Sequence, residues 1–127
     1  MNMKRITAAI VGMSIVALPL AASAHGSMKP LHGGLVTMTG ETVIELVRAR
    51  KNVDIYITEE DEPLAAIGFT GKLIVTAGGA KKETPLVAMA GNKMTAPGLK
   101  VPAGAKVVVA LSNKGTGAKT LTSFMMK

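Results

Sequence analysis

The sequence predicts an all-β protein: a small antiparallel β-sandwich, immunoglobulin-like or Greek-key, of about seven strands, with a small open barrel as the alternative. Three observations carry this. Residues 52–58, NVDIYIT, alternate with a period of two, placing Val53, Ile55 and Ile57 on one face and Asp54, Tyr56 and Thr58 on the other. Short apolar runs recur between clusters of Gly, Pro, Asn and charged residues, at the spacing of a small sandwich. No window beyond residue 24 sustains the 3.6-residue spacing of an amphipathic helix.

Taken in order, residues 35–38 read as a leading strand and TVIELVRA (42–49) as the next, with Ile44 and Leu46 on one face and Val43, Glu45 and Val47 on the other. ARKN makes a tight connection to 52–58. EEDEP (59–63) is a charged turn. GKLIVTAGG (71–79) is a strand bounded by glycine, GGAKKE (78–83) a hairpin turn, and ETPLVAMAG (83–91) a further strand. GNK turns into MTAPG. APGLKVPAG (96–104) holds two prolines and reads as irregular or as an edge segment. AKVVVALSN (105–113), the most continuous apolar run, is expected at the centre of the sheet, and TLTSFMMK (120–127) closes the chain after a turn at 113–119.

The N-terminus reads as a secretory signal. Lys4 and Arg5 precede an apolar run from Ile6 to Leu18, Pro19 breaks it, and Ala22–Ser23–Ala24 offers the small residues of a cleavage site. The competing reading, a membrane anchor, asks for about 20 apolar residues, and this run is shorter. The organisation is therefore a signal peptide at 1–24, an N-terminal segment with an HGG hinge and leading strand at 25–39, and a β-sandwich domain at 40–127. The mature protein has no further run long enough to span a membrane, and its expected destination is the periplasm.

The chain has 127 residues, a net charge of +7 and no cysteine. It has neither disulfide nor thiolate chemistry, so packing alone must hold the fold. Much of the positive charge is scattered as single lysines. The aromatics are Tyr56, Phe69 and Phe124, too few for the stacking platforms of a single-strand binder, so nucleic acid is not expected as a partner. Enzyme chemistry is not expected either. No Ser sits in a nucleophile elbow, no glycine cluster forms a phosphate fingerprint, and the adjacent carboxylates of 59–62 read as a solvated face.

Metal chemistry has a better footing. Both histidines, His25 and His32, fall in AHGSMKPLHGG with Met28 between them. Cleavage after Ala24 makes His25 the first residue, able to chelate one ion through its α-amine and Nδ1. His32 offers a second imidazole, the commonest protein ligand for such ions. Met28 offers a soft thioether that favours copper(I). Gly33 and Gly34 permit a sharp turn into the first strand. The candidate metal ligands are thus His25, Met28 and His32, for a copper ion, with zinc or nickel as alternatives. No catalytic or organic-cofactor site is expected. The competing account is structural: Met28 packs on the sheet and His32 hydrogen-bonds a turn.

AHGSMKPLHGGLV, followed by IELV, DIYI, EPL and GFTGKLIV, resembles small exported bacterial proteins that accompany heavy-metal efflux systems; the distinctive motif is H-x6-H-G-G, matched by His25, His32, Gly33 and Gly34. The resemblance implies a periplasmic β-sandwich involved in metal handling and heavy-metal resistance. A looser similarity is to the CopC-like copper chaperones, which also begin with histidine after cleavage; this chain lacks their further histidines and methionine-rich loop. The expected function is a non-enzymatic, periplasmic metal-binding protein. The alternative is a structural or interaction module that partners an envelope efflux or adaptor protein.

Overall fold

The structure, a computed structural model, describes residues 28–127. The expected signal peptide at 1–24 and His25 lie outside the described residues. The described chain is antiparallel β throughout, with a single 3-10 turn at Ala66–Gly68. Nine strands follow in order: β1 (Leu35–Thr39), β2 (Thr42–Arg48), β3 (Asn52–Glu59), β4 (Glu62–Pro63), β5 (Phe69–Ala77), β6 (Ala80–Ala88), β7 (Lys93–Pro97), β8 (Lys106–Asn113) and β9 (Lys119–Met125). Among the described residues, no helix is long and apolar enough to cross a membrane.

The strands form one continuous path, β1-β2-β3-β7-β6-β5-β8-β9, with β4 paired to β3. β6 joins the two halves of this path: residues up to Leu86 pair with β5, and Val87 and Ala88 pair with β7. The ends of the path then approach each other, where the Thr39 and Thr122 hydroxyls meet at 2.6 Å. The result is a near-barrel of nine strands where about seven were expected in a sandwich. Part of the difference is β1, the leading segment. Another part is EEDEP, which is a hairpin in miniature. Glu59 pairs with Glu62 across Glu60 (φ 50°) and Asp61 (φ 63°), the double positive φ of a tight two-residue turn.

The period-two reading of β2 and β3 places the core. Ile44 and Leu46 meet Ile57 and Ile55 across the pair, and all four are buried. From the other half come Leu73, Val107, Val109 and Leu111, with Met94 and Phe124 closing the same core. The turn after β5 is just Gly78 and Gly79, both at positive φ, so Lys81, Lys82 and Glu83 belong to β6 rather than to a turn. β8 has the expected apolar pattern, but it lies between β5 and β9, next to one end of the path rather than at its centre. The segment after β7 is irregular, as its prolines dictate. It is not a free edge: Leu99 and Val101 turn inward and are buried, and Gly104 and Ala105 exchange backbone hydrogen bonds with Met126.

Candidate functional site

The outward face of β2 and β3 is not a solvent face. Glu45 stands opposite Val36 of β1 and Tyr56 of β3, and Tyr56 stands opposite Lys93 of β7. The segment before β1 folds over this row. Glu45 is thereby left only 5% exposed, although it points away from the core.

A buried carboxylate needs several donors to remain ionised. Glu45 obtains them from the covering segment. Its Oε1 accepts from the Leu31 backbone N–H at 3.0 Å and from that of His32 at 3.1 Å. Its Oε2 accepts from the His32 and Gly34 N–H groups, each at 2.8 Å. The His32 Nδ1 lies 3.0 Å from Oε1. Burial pushes the Glu45 carboxyl upward, but the hydrogen bonds from Gly34, the His32 side chain, and the His32 and Leu31 backbones outweigh it and hold the group below its ordinary range. An ionised carboxylate only accepts, so Nδ1 of His32 is the donor.

The imidazole is fixed on a second side. Its ring stacks on Tyr56 with centroids 3.5 Å apart and planes 7° from parallel. Carboxylate and phenol together set both the tilt and the rotation of the ring. The His32 side chain remains 38% exposed, and Nε2 is the ring nitrogen that Glu45 does not engage. Beside it lies a pocket of about 200 Å³, lined in part by Lys29, Thr58, Asp61 and Asn92.

The two glycines of the motif have different reasons. Gly33 has a φ of 72°, which an L side chain rarely adopts. A Cβ on Gly34 would lie 2.3 Å from the Leu46 carbonyl oxygen and 2.8 Å from Cγ2 of Val47. Gly34 is therefore demanded by close approach to β2, and that approach brings its N–H onto Glu45.

Of the three expected metal ligands, His32 is held in the clasp just described. Met28 is 47% exposed and does not line the pocket beside His32. His25 lies outside the described residues. Among the described residues no three His, Cys, Asp or Glu side chains are grouped as a metal site. Glu45 and Tyr56 are the residues of this candidate site that the sequence reading missed. The available signal was Glu45 sharing a strand face with Val43 and Val47, since two valines on an outward face imply a cover. A second buried acid, Asp54, accepts from the Asn52 amide at 2.6 Å and lies 3.7 Å from the Lys93 ammonium. No protein-family model, curated protein or solved structure matches the chain.

Proposed function

We propose that this chain is an exported, periplasmic metal-handling protein that binds copper through its N-terminal histidine segment, with zinc or nickel as the alternative ions. The observation supporting this reading is the Glu45–His32 clasp. An imidazole that donates Nδ1–H to a carboxylate presents Nε2 as its donor atom, and metal-binding histidines commonly have such a partner, which fixes tautomer and ring orientation and raises ligand basicity. His32 would hold the ion through Nε2. Met28, and His25 with its α-amine after cleavage behind Ala24, would supply the remaining donors. The protein's own part is to orient the ring before an ion arrives and to leave it open for exchange. The kinship with efflux-associated periplasmic sandwiches, suggested by the H-x6-H-G-G motif, belongs to the same proposal.

Native mass spectrometry of the exported protein during copper titration tests it. The expected result is one bound ion that is lost in His32→Ala, while the thermal unfolding of that variant shows the fold retained. A residue added before His25 weakens binding by blocking the chelate. Undiminished copper binding in His32→Ala overturns the proposal.

A second reading has one observation in its favour. Most of the hydrogen bonds to Glu45 come from backbone N–H groups rather than from the imidazole. The clasp would then dock the N-terminal segment of a non-catalytic interaction module that partners an envelope efflux component. That reading expects His32→Ala to leave partner binding intact.

A further inference from the structure

We infer that the outer face of β5, β6, β8 and β9 docks the protein onto an anionic phospholipid surface, independently of the metal reading. The sequence separates charge along the chain. Every acidic residue except Glu83 lies between positions 41 and 62, whereas nine lysines and no other basic residue follow position 63. The fold turns this largely into a separation in space: residues 41–62 build β2 to β4, and of the later strands only β7, with Lys93, joins that side, while β5, β6, β8 and β9 form the other.

Lysines that are single in sequence converge through the strand register. Lys81 stands opposite Thr76, which stands opposite Lys106, which stands opposite Met125. Four residues along, Pro85, Lys72, Ala110 and Leu121 form a parallel row. The one carboxylate of the face, Glu83, is paired with Lys72 at 3.2 Å. The face therefore keeps a clear positive excess.

The apolar part of the face is just as specific. Along β9 the core takes Thr122 and Phe124, and the alternation sends Leu121 and Met125 outward, each 64% exposed. A shallow groove of about 500 Å³ runs beside Leu121, with Lys72 and Lys119 on its rim and Pro85 and Ala110 in its floor. Protruding apolar side chains among lysines suit the headgroup–acyl boundary, where each lysine near an anionic leaflet is worth about a fivefold gain in binding. Nucleic acid fits less well, since Tyr56 lies on the other half and Phe69 and Phe124 are buried, leaving no base-stacking ring on this face. Docked this way, the acidic half and the His32 clasp face solvent.

Co-sedimentation of the exported protein with vesicles decides the matter, using phosphatidylcholine alone and phosphatidylcholine mixed with phosphatidylglycerol. Retention is expected to require the anionic lipid and to fall with added salt. Lys106→Gln/Lys119→Gln should weaken it about tenfold or more; Leu121→Ser, made separately so that neither variant's folding decides alone, should weaken it severalfold. Arg50→Gln/Lys51→Gln removes the same net charge from the other half and should leave retention unchanged. The N-terminal residues are common to every chain compared, so the differences report this face. Equal losses in the two charge variants, retention indifferent to lipid charge, or capture by polyglutamate without vesicle binding overturns the inference; the last would indicate an acidic protein partner.

Discussion

Glu45 occupies a position where an isolated charge would be strongly disfavoured, and five donor contacts from three residues make it tolerable. Because the folded state holds its carboxyl below the ordinary value, the unfolded chain binds the proton more tightly. The stabilisation is therefore fully present above the ordinary carboxylate pKa and is lost as pH falls through the lowered, folded value. The midpoint of thermal unfolding should drop over that acid range. In Glu45→Gln the amide cannot accept all these bonds on both atoms. We expect that variant to be about 1–3 kcal/mol less stable at neutral pH, with a flatter acid dependence. A parallel pH profile for the two proteins would show that Glu45 does not control this stability.

At the scale of elements, the seam between β1 and β9 decides how closed the barrel is. No strand ladder joins them, and the described connection is Thr39 to Thr122, with a weaker bond from the Thr39 hydroxyl to the Leu121 carbonyl. Thr122 is buried and its hydroxyl is partnered by that of Thr39. Thr122→Val keeps the shape and removes the hydroxyl, which should cost about 0.5–1.5 kcal/mol in urea unfolding. Hydrogen exchange should rise selectively in β1 and β9. Protection unchanged there would mean that apolar packing, not this bond, holds the seam.

For the whole molecule, the pairing pattern governs how it folds. β3 pairs with β7, and β1 approaches β9 from the opposite end of the described chain. Such distant partners require long loops to close before their contacts form, so folding should take milliseconds to seconds in stopped-flow measurements. A microsecond folding phase would contradict this. Without cysteine, the same rate should be recovered with and without reductant. Charge is also organised at this scale: two halves of unlike sign share one core.

Local alternation specified most of the strands and their inward faces. A period of two is a local property, and Val53, Ile55 and Ile57 declare a core face without any partner being known. The sequence also marked the segment around His32, because HGG between polar and apolar stretches has few local meanings. Register and closure were decided only by the tertiary structure. Nothing local says that β6 divides its pairing between β5 and β7, that β8 lies near the end of the path, or that EEDEP folds into a two-residue turn with β4. The same holds for the site. Glu45, His32 and Tyr56 lie in separate parts of the sequence, and only the antiparallel register of β2 and β3, with Gly34 pressed onto Leu46, brings carboxylate, imidazole and phenol together. Local alternation fixes which way a side chain points, whereas long-range pairing fixes what it meets.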